Sequence, residues 1–134
     1  MVEAIYQLKS DKQTIKILQR ASLDTISTAG LKIENDLLVG SDIWFEAIDT
    51  GKIKKHSIKG TISQIYQTGH NDYPQFVLEN PEGKTTWTRH GTESAYIIGK
   101  IVEVIYVEQR LKRPIAILGR FSKCIIQINI ETNS

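Results

Sequence analysis

The side chains of this 134-residue sequence that could do chemistry are few and widely spaced. His56, His70, His90 and Cys124 show none of the short spacings that are typical of zinc sites. His70 and Asp72 are close in sequence, but they fall in a polar segment that favours a turn over a metal site. Cys124 stands in an isoleucine-rich segment and is expected to pack in the core rather than to act as a nucleophile. We therefore predict neither a metal site nor a cofactor.

No motif of a nucleotide-binding or catalytic site occurs in the sequence. The glycines form no Gly-x-Gly-x-x-Gly run and no Walker pattern, and no serine stands in a Gly-x-Ser-x-Gly elbow. The acidic residues are spread singly, so they indicate no acid/base pair. We therefore predict that the protein is not an enzyme. A deep pocket lined by His70, Asp72, Arg89 or His90 would argue for the opposite.

One set of side chains has the composition of a binding surface, because it combines aromatic and basic residues on neighbouring predicted strands. The candidates are Tyr66, His70, Asp72, Tyr73, Arg89 and His90, together with Lys54 and Lys55. Such residues can stack the bases of a single-stranded nucleic acid and contact its phosphates. Against this use, 17 Lys and Arg stand beside 15 Asp and Glu, which leaves a formal charge of only +2.

The two lysines belong to a positive cluster at residues 52–59. The cluster has two interpretations: a solvated face that keeps an edge strand from pairing, or the flank of a nucleic-acid site. Trp87, which lies between two threonines, is interpreted as a plug of the core rather than as a stacking platform.

The segment from residue 56 to residue 107 must position these candidates, and it has the pattern of antiparallel strands. His56–Ile62 alternates between two faces, and its Gly60 predicts a bend or the close approach of another backbone. A bulge near Ser63-Gln64 would return the next isoleucine to the core face. Asn80-Pro81-Glu82-Gly83 has the chemistry of a type I turn and predicts a hairpin with its flanking strands.

Three further strands or turns are predicted towards the C-terminus. Ile101–Val107 is apolar on both faces, which predicts a central strand. Glu108–Arg113 is predicted to be a charged turn, followed by a short strand at Ile115–Leu118. Cys124–Ile130 alternates and predicts a half-buried strand with one wet face.

The N-terminal third is harder to interpret. Glu3–Leu8 is a candidate first strand, and Leu31–Ile33 with Leu37–Val39 predicts a hairpin. Residues 11–22 remain open between helix and strand. Ser10 with Asp11 can cap a helix, whereas Thr14-Ile15-Lys16-Ile17 alternates as a strand does.

Ser41–Gly51 predicts the one clear helix of the chain. Ser41 can cap its start, and Gly51 can take the left-handed conformation after its end. Ile43, Trp44, Ala47 and Ile48 fall on one apolar face. Because about three turns are too short to be stable alone, we expect the helix to dock on the sheet.

Together these patterns predict a mainly β, β-rich α+β fold. It would be a small antiparallel barrel or a strongly bent sheet, with one short docked helix near residues 42–50. The length fits a single domain over residues 1–134. No apolar run approaches the roughly 18 to 20 residues of a membrane span. Because the N-terminus lacks signal-peptide features and there is one cysteine, we expect a cytoplasmic protein.

The stretch from Ile58 to Val104 is similar in spacing to an oligonucleotide-binding barrel. The similarity rests on a strand with a central glycine, a hairpin and a following Gly-x-x-Val strand. These are Ile58-Lys59-Gly60-Thr61-Ile62, Phe76-Val77-Leu78 with Pro81-Glu82-Gly83-Lys84, and Ile98–Val104. The resemblance implies a barrel that binds something, although a fold alone does not give a function.

About the second half of the chain also resembles small bacterial β-domains of unknown function that are usually found beside transmembrane helices. The runs concerned are Tyr73-Pro74-Gln75-Phe76, Glu82-Gly83-Lys84, Tyr96–Lys100, Val102–Tyr106 and Pro114-Ile115-Ala116. The chain departs from that group because it has no transmembrane helix. It also has Val107-Glu108 where the group tends to have Asp-Pro.

We predict a non-catalytic, β-barrel-like binding or interaction module whose partner is another protein or a second copy of itself. The polar loop at Gly69–Tyr73 is of the kind that carries recognition. The alternative is single-stranded nucleic-acid binding on the aromatic and basic residues named above.

Overall fold

The computed structural model of the chain describes residues 2–24, 31–34, 36–66, 74–91, 93–115 and 119–131. These ranges contain two α-helices, six β-strands and short 3₁₀ turns at Leu8–Ser10 and Glu93–Ala95. The helices are α1 (Lys12–Leu23) and α2 (Asp42–Asp49). The strands are β1 (Val2–Gln7), β2 (His56–Tyr66), β3 (Gln75–Asn80), β4 (Gly83–Thr88), β5 (Ile101–Ile115) and β6 (Gly119–Glu131). Within the described ranges, no helix is long and apolar enough to cross a membrane.

The six described strands form one sheet in the order β1-β6-β5-β2-β3-β4, so β1 and β4 are its edges. β1 pairs antiparallel with β6, and β3 pairs antiparallel with both β2 and β4. The predicted β-rich α+β fold is confirmed, with an open sheet rather than a closed barrel. Because β2 lies inside the sheet, the lysine cluster at its start does not protect an edge strand, and that interpretation is wrong.

Two compact units divide the chain between them. The first contains Met1–Gln7, Ser57–Ile105 and Gln127–Ser134, and the second contains Leu8–His56 and Tyr106–Ile126. β5 and β6 contribute residues to both units. Along β5 the parity of the buried side chains changes: Val102 and Val104 are buried in the first unit, and Val107, Gln109 and Leu111 are buried in the second.

The first unit contains three local features that the sequence predicted. A side chain at Gly60 would come within 2.5 Å of the Glu79 carbonyl oxygen, so glycine permits the close approach of β3. The register of β2 shifts between Ile62 and Gln64, which is the predicted bulge. Trp87 is buried in the core, as its interpretation as a plug requires.

The hairpin of β3 and β4 is also confirmed. Its two-residue turn is held by Asn80, whose Oδ1 accepts a hydrogen bond from the Glu82 amide at 2.9 Å. The Asn80 Nδ2 donates to the Lys59 carbonyl at 3.1 Å, which ties the turn to β2. Gly83 follows with a φ of +136°, a conformation that favours glycine.

In the second unit, α2 is the helix predicted at Ser41–Gly51. The Ser41 hydroxyl accepts a hydrogen bond from the Trp44 amide at 3.3 Å, and Gly51 follows the helix with a φ of +84°. The predicted apolar face is wrong in one residue, because Ile43 is 59% exposed and Phe45 is buried in its place. Burying two adjacent aromatic side chains removes more apolar area from water than burying one aromatic and one isoleucine.

The segment 11–22, which the sequence left open between helix and strand, is helical, because α1 spans Lys12–Leu23. Asp11 caps the helix, since its Oδ1 accepts a hydrogen bond from the Thr14 amide at 3.1 Å. Lys112 on β5 caps the other end: its Nζ donates to the carbonyls of Ala21 and Asp24, both at 2.6 Å. A lysine in this place satisfies orphan carbonyls and complements the helix dipole.

The predicted charged turn at Glu108–Arg113 is wrong, because β5 runs unbroken through it to Ile115. The stretch looks polar, yet Gln109 is buried with both ends of its amide paired. Its Oε1 accepts from the Trp44 Nε1 at 3.2 Å, and its Nε2 donates to the Lys32 carbonyl at 3.0 Å. A polar side chain satisfied in this way can occupy a core position.

Two other predictions have different outcomes. The predicted hairpin of Leu31–Ile33 with Leu37–Val39 is wrong: Leu31 makes an isolated bridge with Leu111, and Glu34 makes one with Leu37, whose amide donates to the Glu34 carbonyl at 2.9 Å. On the predicted core face of β6, Cys124, Ile128 and Ile130 are buried, whereas Ile126 between them is half-buried. Residues 116–118 of the predicted Ile115–Leu118 strand lie outside the described residues.

Candidate interaction surfaces

Three of the aromatic and basic residues predicted from the sequence lie among the described residues of the first unit: Tyr66, Arg89 and His90. Arg89 is 6% exposed, and its Nη2 donates to the Tyr66 carbonyl at 3.1 Å. The structure therefore brings Arg89 and Tyr66 together, but through a backbone group and with the guanidinium buried. His70, Asp72 and Tyr73 lie outside the described residues.

His90 is held in the first unit by aromatic and backbone contacts. Its ring stacks on Tyr6 with 4.4 Å between the ring centroids. Its carbonyl accepts a hydrogen bond from the Tyr96 hydroxyl at 2.5 Å. Burial raises the pKa of Tyr96 well above its usual value, so the hydroxyl remains a donor at any physiological pH. Because Arg89 and His90 both support the fold, they lend no support to nucleic-acid binding.

Lys54 and Lys55, the last two predicted site residues, belong to the second unit and are exposed. Of the predicted set, Lys54 is the residue that lines a cleft, which is described below.

Cys124 is a buried thiol. Burial raises its pKa to about 12, because a thiolate would lose its hydration inside the protein. Within the described ranges, no three His, Cys, Asp or Glu side chains are grouped so that they could hold a metal ion.

We expect Cys124 to react slowly with a thiol reagent such as Ellman's reagent at pH 8 in the folded protein. A thiol with a pKa of about 12 has on the order of a thousandfold less thiolate at this pH than a free cysteine. Absorbance at 412 nm should therefore rise fast in 6 M guanidinium chloride and very slowly in buffer. Equal rates in the two solutions would show that the thiol is accessible in the folded chain.

A row of polar side chains crosses three neighbouring strands of the first unit. Glu103 on β5 accepts hydrogen bonds from the Ser57 hydroxyl at 2.6 Å and from the Asn129 amide at 3.0 Å. These two bonds lower the pKa of Glu103, so its carboxylate stays ionised. The hollow beside it measures about 50 Å³, well below the size of a ligand pocket.

The first unit exposes an apolar turn that we call the isoleucine turn, defined by Ile97, Ile98 and Ile101. Ile98 is 62% exposed and Ile97 52% exposed, and Ile101 is also exposed. Gly99 has a φ of +95°, which places the two preceding isoleucines at the corner of the turn.

The isoleucine turn is rigidly attached to β2. The Ile62 amide donates to the Lys100 carbonyl and the Gly99 amide donates to the Ile62 carbonyl, both at 2.9 Å. Within the turn, the Lys100 amide donates to the Ile97 carbonyl at 3.0 Å. Large apolar side chains that a fixed backbone holds in water are typical of protein-binding surfaces.

The second unit contains an open cleft of about 480 Å³, which we call the lysine cleft. Lys52 and Lys54 line it, with Ile53 between them and Leu37 beside them. The buried pair of Trp44 and Gln109 contributes to its lining. The volume is within the range of about 300 to 1,000 Å³ that is usual for ligand pockets.

The charged residues of the lysine cleft differ in their pairing. Glu34 Oε2 lies 3.6 Å from Arg110 Nε, and Glu108 Oε1 lies 3.5 Å from His56 Nε2. Lys52 and Lys54 have no hydrogen-bond or ion-pair partner in the part of the chain that the structure describes. The cleft therefore offers two unpaired cations to a partner, while its carboxylates already have neighbours.

Sequence reasoning missed the isoleucine turn, and it named the lysines but not the cleft that they line. Each surface has a local signal: Gly99 after two isoleucines marks a turn that exposes them. The lysines were grouped with β2, whereas Lys52 and Lys54 lie in the segment that follows α2. That this segment lies beside Glu34 and Glu108 depends on the tertiary structure, which the local sequence does not show.

An exposed apolar turn and an open cleft with charged residues are features that protein-binding surfaces share. The chain belongs to the Immunity protein RhsI2 family, whose model matches residues 2–131. None of the curated proteins compared matches this chain.

Proposed function

We propose that this chain is an immunity protein that binds a cognate toxin and blocks its action without catalysing a reaction itself. The observation that carries the proposal is the family match over residues 2–131. The interaction module predicted from the sequence agrees with this role. A protein that inhibits by binding needs exposed complementary surface rather than a reactive group.

The isoleucine turn supports the proposal, because it supplies the kind of apolar anchor that dominates binding energy at protein interfaces. Its three isoleucines cost little ordering entropy on binding, since the bonds to Ile62 already fix the backbone. We propose that Ile97, Ile98 and Ile101 insert into an apolar depression on the toxin.

Co-expression tests the proposed function. Each candidate toxin domain from the organism that encodes this chain is expressed from an inducible promoter in a sensitive bacterial host, with or without the full chain. We expect one toxin domain to stop growth alone and to be tolerated when the full chain is present. If the chain protects against none of the domains that are toxic alone, the proposal is wrong.

Once the cognate toxin is known, Ile98→Lys is expected to weaken its binding by about tenfold or more, because the substitution would place a charge in an apolar contact. The variant should fold normally, since Ile98 is 62% exposed. Binding to the neutralised toxin is measured by calorimetry, and stability by urea unfolding. Ile17→Lys on α1 is the matched control, because Ile17 is similarly exposed. If both variants bind the toxin with equal affinity, the isoleucine turn is not part of the interface.

A further inference from the structure

We propose that the lysine cleft is the docking site for an acidic segment of the toxin, so that carboxylates of the partner pair with Lys52 and Lys54. This inference rests on the proposed function and names the chemistry of the partner. It concerns the second unit alone and is independent of the isoleucine turn.

Charge is the first argument. In the cleft, Glu34 and Glu108 lie beside Arg110 and His56, whereas the two lysines are exposed and have no partner among the described residues. The second unit as a whole contains 13 Lys and Arg against 8 Asp and Glu. Both the local site and the surrounding charge therefore attract an acidic surface, which raises the association rate and favours one orientation.

The backbone around the lysines is the second argument. Ile53, which lies between them, donates its amide to the Ala47 carbonyl of α2 at 3.0 Å. The Gly51 amide donates to the Ile48 carbonyl at 3.2 Å. These bonds hold the segment 51–53 against the end of α2, which is itself anchored by the buried Trp44. A preorganised pair of cations loses less entropy on binding than a flexible one.

The mixed lining is the third argument, and it favours a protein segment over a polyphosphate. Leu37 and Ile53 offer apolar contacts, and the carboxylates of Glu34 and Glu108 can accept hydrogen bonds from N–H donors. A peptide brings apolar side chains and N–H donors together with its carboxylates, whereas a chain of phosphates brings neither. We therefore assign the cleft to an acidic segment of a protein.

The first test uses a hexaglutamate peptide and the ¹⁵N-labelled full chain. We expect saturable shifts of the Lys52, Ile53 and Lys54 amide signals, and no shift at Lys16, an exposed lysine on α1. The shifts should disappear in 0.5 M NaCl, where exposed charges are screened beyond about 5 Å. Absence of shifts at low salt, or larger shifts with an oligothymidylate of equal charge, would overturn the proposal.

The second test uses the toxin that the chain neutralises. Lys52→Glu/Lys54→Glu should weaken toxin binding by about tenfold or more, whereas Lys16→Glu should change it less than about twofold. Lys54→Ala gives a milder change if the double variant folds poorly, and it should reduce the salt dependence of binding. If the cleft variants bind the toxin as the wild type does, the cleft assignment is wrong and the proposed function stands. If the wild-type chain binds no toxin, both fail together.

Discussion

Trp44→Ala is expected to lower the free energy of unfolding by about 3 to 5 kcal/mol, the usual cost of removing a buried tryptophan. Trp44 has no exposed surface, and its ring packs edge-on against Phe45 with 5.0 Å between the centroids. The substitution also leaves the Gln109 Oε1, buried in the core, without the indole N–H that now donates to it at 3.2 Å. The cavity and the lost hydrogen bond add to each other.

Urea unfolding followed by circular dichroism measures this effect. Ile43→Ala is the matched control, because Ile43 precedes Trp44 on the same helix but is 59% exposed. We expect the control to change the free energy of unfolding by less than about 0.5 kcal/mol. A loss of under about 1 kcal/mol for Trp44→Ala would mean that α2 is not anchored by this side chain.

Gly91→Ala is expected to destabilise the first unit by about 2 to 4 kcal/mol. Gly91 has a φ of +79°, which costs any other residue about 1 to 2 kcal/mol. A Cβ at this position would also collide with the carbonyl oxygen of Ile5 on β1 and approach the side chain of Tyr6. Because the Ile5 oxygen belongs to the backbone, the collision can be relieved only by moving the edge strand.

Gly99→Ala separates the cost of the positive φ from the cost of the collision with Ile5. Gly99 has a φ of +95°, but a Cβ built there meets no atom within 4 Å, so only the backbone term applies. We expect a cost of about 1 to 2 kcal/mol for Gly99→Ala and a clearly larger one for Gly91→Ala. Hydrogen exchange should show that Gly91→Ala loosens the β1 amides. Equal costs for the two variants would rule out the collision with Ile5.

The parts of the fold that could be predicted are those that short sequences determine. Gly60, the bulge after Ile62 and the turn at Asn80–Gly83 each depend on neighbours within a few residues. The same holds for α2, whose cap at Ser41 and final Gly51 are both local signals.

The parts that could not be predicted depend on distant partners. Gln109 is buried because Trp44 and Lys32 satisfy its amide, and neither contact can be inferred from the residues next to it. Thr14-Ile15-Lys16-Ile17 alternates as a strand does, yet it is helical, with Asp11 and Lys112 capping the two ends of α1. Local propensity alone does not decide such a segment.

The candidate site shows the same limit. Lys54 was predicted to bind a partner and does line the lysine cleft. That it shares the cleft with Glu34 and Glu108 depends on the tertiary structure and could not be predicted from the sequence. Arg89 and His90 were chosen for their chemistry alone, but Arg89 is buried and the ring of His90 stacks on Tyr6. Residue type identifies what can bind, and exposure decides whether it is presented.

Direct titration of the purified full chain with the purified toxin domain tests the central claim, that this member of the Immunity protein RhsI2 family binds and blocks a toxin. Isothermal titration calorimetry is combined with an assay of the toxin's activity on the same samples. We expect a complex of defined stoichiometry with a Kd of about 100 nM or below, as in other specific protein pairs, and loss of toxin activity at the equivalence point. A folded chain that gives no heat of binding and leaves every candidate toxin fully active would contradict the claim.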